Sequence, residues 1–302
     1  MSDHRVVTPR ELATRLGPYG VWCPQLQWQP MAKAREAVAR IEALGFGAVW
    51  IGEATGKEAM THASLLLGAS DRIVVGTGIA SIWARDPVSM ANAGRTVEDA
   101  YPGRFVMGLG VSHPFLTTPR GRTYERPLER MRAYLEAMTE APYAGPPAAQ
   151  PPRVLAALGP KMLELARDRT HGAHPYFVPV EHTEVARTVL GREPLLAPEQ
   201  AVLVSSDGAR EPARRYTGTY VKLESYGRNL RRLGFEDEDL AGGGSDRLVD
   251  AMVACGGIDA AAERVVEHLE AGADHVAIRV LTEDPKRLPF PELDELAAAL
   301  GL

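Results

Sequence analysis

The sequence predicts an α/β fold of the (β/α)8 TIM-barrel type, and three observations carry that expectation. Eight short apolar runs alternate with helical patterns along the chain. Parallel strands need a crossover helix, so this alternation predicts a parallel sheet, and eight is the number that closes a barrel. Two distant segments echo each other: IEALGFGAVWI (Ile41 to Ile51) and HLEAGADHVAI (His268 to Ile278) both read as helix, glycine turn, buried strand. Finally, the 302 residues exceed the ~250 of a plain barrel. One domain spanning 1–302 with insertions accounts for the excess.

Tyr19 to Cys23 reads as the first strand. Pro30 opens a helix in which Met31, Ala34, Val38 and Ile41 recur at spacings of three and four, and Gly45 ends it. Ala48 to Ile51 is the second strand, Glu58 to Ala69 a helix and Arg72 to Thr77 the third strand. Asp86 caps and Pro87 opens a helix to about Ala100, followed by the fourth strand, Phe105 to Leu109. Arg153 to Leu158 is the fifth strand, and Pro160 opens its helix. The sixth strand is expected around His174 to Val178, with a helix from Glu181 to Leu190. Ala201 to Val204 and His275 to Leu281 complete the set. Two stretches break the rhythm. Residues 111–152 hold a loop, a helix near Glu125 to Glu140 and a proline-rich return, readable as a lid or as decoration. Residues 210–255 hold extra helices, read as decoration.

Composition narrows the function. Hydrophobic residues make up 45% and charged residues 24%, enough for a full core, and the net charge of -5 argues against a nucleic-acid partner. The one basic cluster, Arg228 to Arg232, lies in a helical pattern and reads as a solvated face. Two distant cysteines, Cys23 and Cys255, make neither a disulfide framework nor a zinc site. No apolar run approaches the ~20 residues that span a membrane, and residues 1–10 lack a signal peptide's apolar stretch. The expected setting is the cytoplasm. The expected partners are a small-molecule substrate and a second copy of the chain in a homodimer.

In a barrel, chemistry sits at the carboxyl ends of the strands. Those ends carry Trp22, then Glu53-Ala54, then Gly78-Ile79-Ala80, then Gly108 and Gly110-Val111-Ser112-His113, then Leu158-Gly159-Pro160-Lys161-Met162. Glycine there lets backbone approach a flat ring or a phosphate, although a tight turn asks for it equally. The Gly159-Pro160 junction opens a helix, whose free N–H groups at Lys161 and Met162 suit an anion. GLGVSH is not a dinucleotide fingerprint, because His113 stands at the third glycine position. Trp22, Trp50, Trp83 and Tyr176 are candidate aromatic walls, Trp22 and Tyr176 being assigned to the substrate pocket.

These same strand ends, GFGAVWIGE, RIVVGTGIASIWARDP and AYPGRFVMGLGVSHPF, with ALGPKMLELA later, resemble the luciferase-like monooxygenase superfamily. The run PGRF-VMGLGVSH is most similar to a branch of oxidoreductases that use the deazaflavin coenzyme F420. The resemblance implies that a ring rests on Gly78-Ile79-Ala80, with Gly78-Ile79 as a cis peptide or a similar bulge. It implies a phosphate between Gly110 to Ser112 and Gly159 to Met162. It also exposes a departure: many relatives carry an acid followed by histidine after the second strand, whereas this chain has Glu53-Ala54. Ala54 cannot shuttle a proton, and its small size would leave space in the substrate pocket.

Candidate catalytic residues are therefore Glu53 and His113. A neutral imidazole titrates in the useful range, but a loop histidine also has structural uses. Glu53 could hold a substrate proton, or be a buried acid bonded to backbone N–H groups. His171 and His174, three apart on the expected sixth strand, would face opposite ways and form no metal pair; no metal is expected. His62 falls inside a helix as a structural residue, and Ser112 has no evident catalytic triad. Three readings follow: an F420-dependent oxidoreductase moving hydride to or from a small organic substrate, an FMN-dependent monooxygenase, or a ligand-binding barrel without catalysis.

Overall fold

The computed structural model describes residues 7–204 and 210–302. Helix α1 (Pro9–Leu16) precedes β1 (Tyr19–Trp22), α2 (Met31–Ala43), β2 (Ala48–Ile51), α3 (Ala59–Leu67), β3 (Val74–Thr77), a short β4 (Ala80–Ser81), α4 (Pro87–Ala100) and β5 (Phe105–Gly110). Then come α5 (Pro114–Thr117), α6 (Pro127–Thr139), β6 (Arg153–Leu155), α7 (Pro160–Arg169), β7 (Gly172–Ala173) and α8 (Val180–Leu190). The last part holds β8 (Leu195–Leu196), β9 (Glu199–Leu203), α9 (Glu211–Tyr220), α10 (Glu224–Arg232), α11 (Asp237–Leu240), α12 (Asp246–Met252), β10 (Val253–Cys255), α13 (Ile258–Glu270), β11 (Val276–Val280) and α14 (Phe290–Ala299).

All strand pairs are parallel, and the order runs β11-β1-β2-β3-β5-β6-β7-β8. β8 and β9 are two halves of the seventh strand, separated at Pro198, which has no N–H to give the ladder. On one edge the Leu195, Ala197 and Glu199 N–H groups donate to the carbonyls of His171, Ala173 and Pro175. On the other, the Asp274 and Ala277 N–H groups donate to the carbonyls of Leu196 and Pro198, and β9 then pairs with β11. The ring closes through this composite strand, giving the (β/α)8 barrel.

The helix starts follow the sequence chemistry. Asp86 accepts from the Ser89 N–H at 2.9 Å with Pro87 in the first turn. Pro160 likewise stands in the first turn of α7, whereas Pro30 lies just outside α2 as its N-cap. Both halves of the internal echo are as expected, α2 to β2 and α13 to β11.

Several expectations need correction. The sixth strand is Gly172–Ala173 rather than His174 to Val178, because Pro175 has no N–H and Phe177 takes a φ of 54° that ends extended pairing. His171 and His174 consequently flank that strand. The fifth strand stops at Leu155, and the seventh begins at Leu195, ahead of Ala201. The helix expected inside the 111–152 insertion is α6, which packs against α4 and α7 and so is the fourth barrel helix. Helix α1 is absent from the sequence reading, although Thr8 and Glu11 form a capping box that marks its start.

That helix has a definite task. Leu12 and Leu16 are buried in one cluster with Trp50, Val74, Val106, Val154 and Ala277, side chains of the barrel lumen, so α1 seals the amino-terminal end. Above it, Trp50 fills the centre. A Cβ on Gly76 would lie 2.5 Å from its indole, so only glycine leaves room for it there. Trp50 stacks on His174 at 4.3 Å and donates through Nε1 to His275 Nε2 at 3.0 Å. His275 Nδ1 donates to the Gly17 carbonyl at 2.7 Å. With the lumen plugged below, the open end is the carboxyl end.

These histidines are neutral by construction. A protonated His275 would point an N–H at the Trp50 N–H. His268 accepts from the Thr183 hydroxyl and donates to Gln200 Oε1, each at 2.7 Å. Burial pulls His174 and His275 down to about 4 and His268 down to about 3. In the unfolded chain each regains an ordinary pKa near ~6.5, so below that pH the unfolded state binds more protons and folding stability falls. We expect urea midpoints to be level above pH 7 and to drop steeply between about pH 6.5 and pH 4, by several kcal/mol in all. A flat profile over that window would show that these rings ionise freely in the fold.

Candidate functional site

The mouth of the barrel is built on β3. The Gly78–Ile79 peptide is cis, the form the resemblance implies. The Ile79 side chain then lies against β5: Cβ atoms on Gly108 and Gly110 would come within 3.6 Å and 2.4 Å of it. At Gly108 a Cβ would also sit 1.8 Å from the Thr77 carbonyl. The two glycines therefore make room first for Ile79 and the neighbouring strand, and Ile79 forms a half-buried apolar ledge facing the mouth. Ala80 is buried behind it in β4, which pairs with Leu109 and Gly110.

Glu53, at the end of β2, anchors this bulge. One carboxylate oxygen accepts from the Ser81 N–H at 2.7 Å and from Arg85 Nη1 at 3.1 Å. The other accepts from the Ala59 N–H at 3.2 Å and from Arg85 Nη2. Arg85 also reaches Glu58. The Glu53 side chain is 4% exposed and its acceptor directions are filled, so its geometry is that of a clamp. Ala54 beside it is half-buried, and its carbonyl accepts from Arg120 at 3.3 Å.

The β5 end carries the other candidates. Val111 accepts at its carbonyl from Trp83 Nε1 at 2.7 Å, Ser112 takes a left-handed φ of 56°, and His113 follows half-buried. The His113 ring lies 5.4 Å from that of Tyr226 in α10, and burial lowers its pKa below the ordinary value. Across the mouth, Leu158 accepts at its carbonyl from His182 at 2.9 Å. The Met162 and Leu163 N–H groups both donate to the Gly159 carbonyl, at 3.0 and 3.1 Å. The expected pair of free donors is thus reduced to the Lys161 N–H. A guanidinium is close by: Arg232 Nη1 lies 2.9 Å from where a Gly159 Cβ would be. The arginine run is therefore not wholly a solvated face, since its last member turns to the start of α7.

The far wall is aromatic. Trp22 lies 5.1 Å from Tyr176 by ring centres, and its indole packs against Gly52. Of the other proposed walls, Trp50 belongs to the lumen, and Trp83 lies under Arg130 at 5.1 Å, beside a surface cleft of about 540 Å³ lined by Arg122, Arg126 and Arg130. Trp22 Nε1 and His174 Nε2 have no hydrogen-bond partner among the described residues, and both point at Gly78. His62, inside α3, is buried away from the mouth.

Sequence reasoning missed what α9 and α10 contribute. Far from being decoration, they bring Tyr216, Tyr220 and Tyr226 into one cluster with Tyr176 and Phe177. It also missed Arg279 of β11 and Glu199 of β9. Arg279 donates to the hydroxyls of Tyr176 and, at 3.1 Å, Tyr220. Glu199 is buried, accepts from the Phe177 N–H at 3.2 Å and from the Tyr216 hydroxyl, and burial pushes its pKa up to about 8. Alternation along HVAIRVL was the available signal, because Arg279 shares the inward face of Ala277.

A family model described as luciferase-like monooxygenase matches residues 6–275. The chain belongs to the luciferase-like monooxygenase family. A putative coenzyme F420-dependent oxidoreductase of Mycobacterium tuberculosis is 31% identical over 131 residues, covering 43% of this chain and 36% of that protein. The match thus spans about a third of that relative's length. The coenzyme F420-dependent tetrahydromethanopterin reductase of Methanopyrus kandleri superposes with a TM-score of 0.76 at 17% identity, over 95% of this chain and 98% of that one. The oxygenating constituent of 3,6-diketocamphane monooxygenase of Pseudomonas putida, solved with FMN, superposes with a TM-score of 0.67 at 15% identity, over 94% and 98%. At these identities the two structures establish a common fold.

Two substitutions test the architecture. Arg85→Leu leaves the Glu53 carboxylate buried with only two N–H donors, and we expect a loss of about 3–5 kcal/mol in denaturant unfolding. A change near zero would mean that water reaches the acid. Gly110→Ala pushes a methyl into Ile79 and should cost ~1–3 kcal/mol. Ile79→Ala in the same chain should recover most of it. Failure of that rescue would place the clash elsewhere.

Proposed function

We propose that the chain is an oxidoreductase that uses coenzyme F420 to move a hydride to or from a small organic substrate. The observation that carries this is the Ile79 ledge seated on Gly108 and Gly110, opposite an aromatic wall. A flat ring needs an apolar back on a rigid strand, and Ile79 supplies one. A phosphate needs donors, and the Lys161 N–H at the start of α7, with the Arg232 guanidinium over Gly159, offers them. Gly110 to Ser112 forms the facing loop. The residues present therefore fit such a group. When bound, a deazaflavin supplies a two-electron hydride donor or acceptor.

The chain's own residues do the rest. Ile79 backs the ring and Glu53 holds the β3–β4 segment through the Ser81 N–H. Trp22 and Tyr176 exclude water from the substrate side. His113, whose pKa burial lowers, would accept a proton from an alcohol-type group as hydride leaves its carbon. The absence of histidine at Ala54 leaves that role to His113. The name of the Mycobacterium tuberculosis relative favours F420, whereas the fold shared with the FMN-bound monooxygenase keeps flavin as the second reading.

Equilibrium titration of the purified chain with F420 and with FMN, read by each chromophore's absorption and by dialysis, decides between them. We expect saturable F420 binding and weak FMN binding. Preference for FMN moves the chain to the oxygen-activating reading, and binding of neither leaves a ligand-binding barrel. With F420 bound, His113→Ala should lower kcat by ~100-fold while leaving F420 affinity unchanged. Activity that depends on the neutral ring should fade as pH drops below its lowered pKa.

A further inference from the structure

We propose that the substrate carries a carboxylate, and that Arg279 binds it; this rests on reading the mouth as the redox site. Arg279 projects from β11 into the carboxyl-end mouth. Its guanidinium carbon lies 5.2 Å from the ring centre of Trp22, 5.9 Å from that of Tyr176 and 4.8 Å from that of Tyr216. Nη1 donates to the hydroxyls of Tyr176 and Tyr220. Nε and Nη2 have no protein acceptor among the described residues, and no carboxylate there pairs with the group.

Among the described residues, none carries a charge that compensates the guanidinium. The described ionisable groups around it are neutral at pH 7: burial raises the Cys23 thiol to about 12 and the phenols of Tyr216 and Tyr220 above their ordinary value, and it raises Glu199, which accepts from Tyr216, to about 8. The same desolvation draws the guanidinium itself down to about 9, so it stays cationic at neutral pH. Arg279 is half-buried, and for a cation partly withdrawn from water without a described counter-ion, ring faces and hydroxyls compensate only in part. What the arrangement lacks is one anion with a planar two-oxygen edge to meet the free side of the fork. A single cation in an aromatic enclosure matches a monoanion. A phosphate dianion would call for more donors than the described residues place there.

The geometry also orients the bound molecule. Trp22 touches Arg279 on one side, and on the other its Nε1 lies 2.6 Å from where a Gly78 Cβ would be. A carboxylate on Arg279 therefore lays the carbon skeleton across Trp22 toward the Gly78-Ile79 ledge, where hydride transfer would occur.

The test uses a matched pair of probes, cyclohexanecarboxylate and cyclohexanecarboxamide, titrated into the full chain and followed by tryptophan fluorescence and calorimetry. We expect the carboxylate to bind at least ~10-fold more tightly than the amide. In Arg279→Met, checked for folding by circular dichroism, the two should bind alike. Should that variant not fold, Arg279→Lys is read instead; it keeps the charge without the fork and should narrow the gap. Equal affinities in the unmodified chain, no carboxylate binding at millimolar concentration, or a preference surviving in both variants would each overturn the assignment. F420 titration of the same sample separates the two readings. F420 binding without carboxylate preference sinks this inference alone, and carboxylate preference with binding of neither F420 nor FMN sinks the redox reading alone.

Discussion

The Glu53 carboxylate gathers the pieces of the mouth. It sits at the end of β2, receives an N–H from the start of α3 and another from β4, and is held by Arg85 from the loop before α4. Side-chain exposures of 4% and 12% for the two partners put the pair outside the reach of solvent screening. β4 is only two residues long and pairs with β5 along one edge, so the Glu53 carboxylate gives it a second hold. Because Ser81 is fixed there, the segment from Gly78 to Ala80 is stretched between two anchored points, Thr77 in β3 and Ser81 in β4. Ile79, the glycines under it and the facing aromatic wall take their places from that span.

A division of labour follows. The lumen below the site is spent on packing: α1 closes one end, and Trp50 with two neutral histidines fills the centre. The rim supplies chemistry from separate parts of the chain. In the proposed site, strand ends would give Trp22, Ile79 and Arg279, the loop after β5 His113, and helices α9 and α10 tyrosines. Those tyrosines come from between the seventh and eighth strands, so under the proposed reading this insertion would set how polar the substrate side is. Changing it would alter what the mouth accepts without disturbing the barrel beneath.

Much of this was legible from residues alone, and the exceptions share a cause. Strands such as AVWI and FVMGLG are buried on both faces and read as continuous apolar runs. Helix starts announce themselves through Asp86-Pro87 and Gly159-Pro160. The sixth strand did not, because two residues are too few for a period, and the apolar Tyr176-Phe177-Val178 beside it is packed as a loop. The glycines of β5 were found, but as places for ligand approach, since only coordinates show Ile79 occupying the space above them. Arg279 and the tyrosine cluster depend on contacts between residues far apart in the chain. Local pattern can place an arginine on the inward face of a strand, but cannot say that no carboxylate among the described residues meets it.

The break at Pro198 has an effect beyond the missing hydrogen bond. Below it, the seventh strand is paired with β7; above it, the same edge is taken by β10, whose Val253 to Cys255 align with Ala201 to Leu203. β10 thus adds a strand along β9 at the carboxyl end, beyond the eight that make the ring. The tyrosine-bearing helices lie in the connection between β9 and this added strand, so the extra pairing fixes where their segment returns to the sheet.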